Sequence, residues 1–170
     1  MSPRVRSGPP CMDDHLDQQA RDVLDGVRYV ALGTVDEDGR PRVSPVYFVH
    51  HEHTRLYWVS YDDTHHSANI ARDDRVSGVV FDSTVTPGPD TRAVYVVGRA
   101  REIPAGELDE HLPIAFDDAR GGRDFSREEL TDPDDRIRLY VLHVEQCEVH
   151  VRAGDPELGT GRDRRIPVHP

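Results

Sequence analysis

The chain has 170 residues, 32 acidic against 21 basic, and a formal net charge of −11; that is the length of one ordinary domain, with a surface that repels nucleic-acid phosphates. All 21 basic residues are arginine, which removes lysine Schiff-base and lysine-nucleophile chemistry, and the two cysteines are too few for a disulfide framework or a cysteine-rich zinc site. No apolar run approaches the roughly 20 residues that span a bilayer, and no secretory signal pattern opens the chain, so a soluble cytoplasmic domain bound to neither membrane nor nucleic acid is expected.

Residues 1–12 hold three prolines and no periodicity, and read as an N-terminal arm. From Asp13 to Gly26, Leu16, Ala20, Val23, Leu24 and Val27 recur on one helical face, with Asp13 and Asp14 near the N-cap and Gly26 at the C-cap. A strand is expected over Tyr29 to Val35, then an Asp38-Gly39 hairpin turn, then a returning strand from Arg42 to Val49. Pro45 places that second strand at an edge or leaves it locally unpaired. Its alternation separates Arg42, Ser44, Val46 and Phe48 from Val43, Pro45, Tyr47 and Val49. A polar loop leads to a strand at Leu56 to Ser60, a turn, and a short helix from Thr64 to Asp73. Further strands are expected over Arg75–Asp82, Thr91–Ile103 and Arg138–Val151. Between the last two, Ala105 to Leu130 reads as helix in two pieces broken at Gly121-Gly122, with Ser126 and Glu129 in capping-box spacing. Residues 152–170, rich in Arg, Gly and Pro, read as a C-terminal tail after a domain spanning 13–151. Six strands joined mostly by hairpins, with few helices, point to an antiparallel sheet that closes into a small barrel and so removes its edges.

Three places could carry chemistry. Around Arg42, Val43, Ser44, Pro45 and Val46, a proline-broken ladder beside an arginine and a serine leaves backbone groups free for a flat heteroaromatic ligand. Along Trp58, Val59 and Ser60, and through the turn to Thr64, His65, His66 and Asn69, a strand end meets a helix start; its orphan N–H groups, hydroxyls and imidazoles suit a phosphate. The third is His50-His51-Glu52-His53, in which His51 and His53 would share one side of an extended segment. Its polar flanks favour a solvated hairpin loop, and no metal ligand is assigned. Cys147 has no partnering His and Asp pattern and reads as a strand residue.

The first two sets together resemble the pyridoxamine 5′-phosphate oxidase-like family, the FMN-binding split barrel. The similarity runs through an apolar strand, an Asp-Gly hairpin, Arg-Pro-Arg-Val-Ser-Pro-Val, Tyr-Trp-Val-Ser and Thr-His-His-Ser-Ala-Asn-Ile-Ala-Arg, and covers about residues 14–103. It implies a mainly β fold, a six-stranded antiparallel split β-barrel with flanking helices, and a homodimer with FMN between the subunits. By that resemblance Arg42 reaches the FMN phosphate, Val43, Ser44, Pro45 and Val46 run beside the isoalloxazine ring, and Trp58, Val59 and Ser60 form the neighbouring strand. Thr64, His65, His66 and Asn69 belong to the phosphate end, with His66 where many members carry lysine. The implied activity is an FMN-dependent oxidoreductase that moves hydride through flavin N5 to or from a small organic substrate. The substrate-phosphate signature of true vitamin B6 oxidases is not found near the C-terminus. A deazaflavin-dependent reductase and a non-catalytic haem- or flavin-binding protein, using one of His50, His51, His53, His65 or His66, are the alternatives.

Overall fold

The computed structural model describes residues 12–86, 88, 91–116 and 123–170. Helix α1 (Met12–Gly26) comes first, then strands β1 (Tyr29–Val35), β2 (Pro41–Tyr47), β3 (Val49–His51) and β4 (Arg55–Tyr61). Helix α2 (His65–Arg72) leads to β5 (Arg75–Phe81) and β6 (Ala93–Glu102). Helices α3 (Leu108–Ala115) and α4 (Arg127–Thr131) precede β7 (Ile137–Val151) and β8 (Arg164–Val168). The arm at 1–11 and the Gly121-Gly122 break lie outside the described residues.

The sheet is antiparallel throughout, in the order β2-β1-β5-β6-β7-β4-β3, with β8 also on β7. Its two ends, β2 and β3, are consecutive pieces of one chain run separated only by Phe48. The run pairs with β1 on one side of Phe48 and with β4 on the other, and the Phe48 N–H donates to the Arg28 carbonyl at 3.1 Å. That switch of partner curls the sheet into a split barrel. Alternation then decides what fills it: Val46 and Phe48 are buried inside, with Val30, Leu32, Leu56, Trp58, Val94 and Leu142. β6 bends at a bulge between Val97 and Gly98, where a Cβ on Gly98 would meet the His143 carbonyl oxygen at 2.0 Å. The opposite face of β4 and β7 is also covered. Tyr57, Leu139 and Val141 pack there against Leu108 of α3 and Leu130 of α4 in a second core.

The strand count is eight among the described residues, not six. One addition comes from the break at Phe48. The other comes from the C-terminal segment expected to be a tail: Ile166 and Val168 alternate onto β7, Val168 is buried, and the His169 N–H donates to Asp17 Oδ1 at 2.8 Å. The remaining elements fall within a few residues of their expected limits, and the Ser126/Glu129 capping box is formed in both directions. No helix among the described residues is long and apolar enough to cross a membrane.

Candidate functional site

The site grows from the β1–β2 hairpin, the end of β4 and the start of α2. Gly39 takes a left-handed backbone (φ 85°) in the turn, and the Asp36 N–H donates to the Arg40 carbonyl at 2.8 Å. This turn brings Asp36 beside Arg42, whose Nε and Nη2 both donate to Asp36 Oδ2, at 2.9 and 2.6 Å. Asn69, buried on α2, completes the cluster. Its Nδ2 donates to Thr34 Oγ1 at 3.0 Å and to Asp36 Oδ1 at 2.9 Å, while its Oδ1 accepts from Arg72 Nη1 at 3.2 Å. Arg72 Nη2 also donates to the Val35 carbonyl. The bonds from Arg42 and then from Asn69 hold the Asp36 carboxyl down to about 2.

A second cluster sits at the N-terminus of the same helix. Thr64 is the N-cap, its hydroxyl oxygen accepting from the Ser67 N–H at 3.4 Å. Ser60 Oγ lies 2.9 Å from His66 Nε2 and 3.3 Å from Thr64 Oγ1. Burial, and secondarily the charge of His65, pushes the His66 imidazole below its ordinary value, so it is neutral at pH 7 in the free protein. His65 itself is exposed.

Between β2 and β4 lies a cavity of about 660 Å³, walled by Pro45, Val46, Trp58, Val59, Ser60 and His66 among the sequence-expected residues. Arg42, Val43, Ser44, Thr64, His65 and Asn69 do not line it. Arg42, Ser44 and Val46 do share the inward side of β2, but Val43 points outward and is 67% exposed. The structure thus divides the expected set into a charged latch (Arg42, Asn69), an uncharged helix-start cluster (Ser60, Thr64, His66) and a mainly apolar cavity beside the latter, which Arg123 and Asp124 also line. Asp36, Thr34 and Arg72 join the latch unforeseen. Tyr47, Tyr57 and Tyr61 add aromatic walls, and Phe116 and Phe125 close the cavity from the α3–α4 side. The tyrosines were legible as strand neighbours of the expected residues; nothing local marks the two phenylalanines as cavity residues. Trp58 carries the one orphan of this wall: its Nε1 is buried without a hydrogen-bond partner.

The His50–His53 segment does not pair as expected. His51 and His53 are not brought together; His50 and His53 are, with rings stacked at 4.3 Å and both Nε2 atoms on Asp25 Oδ1. The left-handed backbone at Glu52 and His53 (φ 50° and 56°) turns His53 back toward His50. Cys147 is buried in the barrel core, its thiol pushed up to about 12 by burial, which suits a strand residue rather than a nucleophile.

The family model for pyridoxamine 5′-phosphate oxidase matches residues 16–150. The chain belongs to the pyridoxamine 5′-phosphate oxidase-like family. Among solved structures, this family member superposes on a haem-binding protein from Mycobacterium smegmatis with a TM-score of 0.64 and 19% identity, over 96% of this chain and 60% of that one. It also superposes on a protein from Clostridium acetobutylicum related to general stress protein 26 of the pyridoxinephosphate oxidase family (TM-score 0.62, 10% identity, 92% and 97% covered). A FAD-binding protein from Mesorhizobium loti gives a TM-score of 0.53 at 21% identity, over 78% of this chain and 91% of that one. At these identities the likeness is one of fold. No curated protein sequence matches the chain.

Proposed function

We propose that this pyridoxamine 5′-phosphate oxidase-like protein is an FMN-dependent oxidoreductase acting on a small organic substrate, as a homodimer with each flavin between the two subunits. The observation that carries this reading is the aromatic-walled cavity between β2 and β4, with Ser60 and His66 on its wall at the N-terminal end of α2. Its volume, about 660 Å³, falls in the range of cofactor sites. The residues fit the group. β2 is an edge strand paired only with β1 among the described residues, so one side of its ladder is open to a planar ring. The buried, partnerless Trp58 Nε1 is a donor in need of an acceptor. Helix N–H groups and hydroxyls at Thr64 favour an anion there, and Arg42, tied through Asp36 to Asn69 of the same helix, adds a guanidinium.

When bound, the flavin supplies hydride transfer at N5. The chain orients it, excludes water with Tyr47, Trp58, Phe116 and Phe125, and holds its phosphate; no side chain here is assigned as a general acid or base. The dimer is supported by an apolar outer face on β2, β1, β5 and β6. Tyr29, Val43, Phe81 and Val97 all point out of the barrel on that face and all are exposed. Exposed apolar side chains gathered on one sheet face favour association there.

The absorption spectrum of the purified protein tests the cofactor. A double-banded flavin spectrum, with FMN released on denaturation, is expected; a single intense Soret band would place haem in the cavity instead. A colourless protein that takes up a deazaflavin and not FMN would favour the deazaflavin reductase. Light scattering should give twice the 19.2 kDa chain mass, and a monomer saturated with FMN would end the shared-cleft proposal.

A further inference from the structure

At the C-terminal end of α1, three side chains from three separate elements converge. Asp25 comes from the last turn of α1, His50 from β3, and His53 from the turn that follows. His50 Nε2 and His53 Nε2 lie 2.6 and 3.0 Å from the same oxygen, Asp25 Oδ1, and all three potential ligand atoms are within 4.8 Å of one another. We propose that Asp25, His50 and His53 form a binding site for a divalent transition-metal ion, with zinc as the ion of choice.

The chemistry of the set is the first argument. Two neutral imidazoles and a carboxylate are borderline ligands that suit zinc and its neighbours rather than calcium or magnesium. Zinc–nitrogen and zinc–oxygen bonds near 2.1 Å put tetrahedral neighbours about 3.3 Å apart, so the present separations need only a small opening to admit an ion. Three protein ligands leave a fourth position for water, and Asp25 is the exposed member of the three.

The electrostatics is the second argument. The carboxyl end of a helix is its negative end and is ordinarily matched with cations. α1 has no basic residue in its last turn and instead places Asp25 there, adding a charge of the same sign. A dication held by Asp25 would also lie at the negative end of the helix. The backbone is the third argument. The turn is closed by the Thr54 N–H donating to the His51 carbonyl at 3.1 Å, and its two central residues, Glu52 and His53, have φ of 50° and 56°. Such turns are usually built from Asn and Gly, and other side chains are strained in this backbone region. That strained turn is what aims His53 at Asp25 and stacks it on His50. Among the described residues the His51 side chain, outside the cluster, reaches only Glu52, at 3.8 Å.

Bound there, the ion would staple α1 to the β3–β4 hairpin. The test is calorimetric titration with zinc chloride of tag-free protein stripped with a chelator. One ion per chain is expected, weakened at least about tenfold in Asp25→Asn and in His53→Gln and unchanged in His51→Gln. Zinc should also raise the melting temperature of the wild type and not that of His53→Gln. His53→Gln sits in a surface turn and decides the matter should Asp25→Asn unfold. No saturable uptake by about 100 μM zinc, or equal affinity in wild type and His53→Gln, overturns the site and leaves a histidine–aspartate ion pair in its place.

Discussion

Two polar clusters share helix α2 and differ in how they carry charge. On the Asn69 side, Arg42 and Asp36 are fully ionised and already satisfied by each other, with Asn69 locking them to β1 and α2. On the Thr64 side, Ser60, Thr64 and His66 form a neutral hydroxyl–imidazole cluster beside the cavity. The first holds a cation at a fixed place in a protein of charge −11 without leaving it unpaired when no anion is bound. The second offers donors and a helix end that need no counter-ion. In the proposed function a phosphate between them would draw charge from one and hydrogen bonds from the other, and the two contributions can be separated.

The largest expected effect is on the charged side. Arg42→Ala should weaken FMN binding at least about tenfold while riboflavin, which has no phosphate, changes far less. Equal losses for both ligands would make Arg42 a folding residue and erase the distinction between the clusters. Asn69→Ala comes next and is read as stability. It strips three hydrogen bonds at a buried position, and denaturant unfolding should show a loss of about 1–3 kcal/mol. A neutral outcome would mean that the latch is held by the hairpin alone.

The smallest effect separates the clusters by pH. In the native protein His66 is held below its ordinary value of about 6.5 by burial, so below that pH the unfolded chain binds more protons than the native one. Stability is therefore full above pH 6.5 and falls as pH drops from there toward the native value. His66→Gln should flatten this fall between about pH 7 and 5, though His111 and His143, shifted the same way by burial, keep part of it. The Arg42–Asp36 pair adds nothing in that window. Its contribution is present above the unfolded carboxyl value near 3.8 and is lost only as pH falls toward about 2. Unfolding midpoints of wild type and His66→Gln that run parallel across that range would contradict the burial account.

Local patterns carried much of this. The limits of β1, the Asp-Gly turn, the helix start near Thr64 and the Ser126 capping box are each written in a few adjacent residues, and each falls where the pattern puts it. What escaped is set by pairing at a distance. The alternation runs unbroken from Arg42 to Val49, so nothing in it marks Phe48 as the point where the strand changes partner from β1 to β4. β8 is a five-residue strand with a proline, and only the edge of β7 makes it one. The resemblance implies a phosphate role for Arg42, whereas its tie to Asp36 depends on how the turn folds six residues back. His50 and His53 meet through a left-handed turn at non-glycine residues, a conformation that composition does not announce.

Paired titrations of the wild-type protein decide whether the β2–β4 cavity and the flanks of α2 bind a flavin through its phosphate. Quenching of flavin fluorescence should show FMN saturating at one per chain and binding at least about tenfold more tightly than riboflavin, as charge-assisted contacts to a dianion require. FMN and riboflavin binding with the same affinity, or neither binding at all, would contradict it.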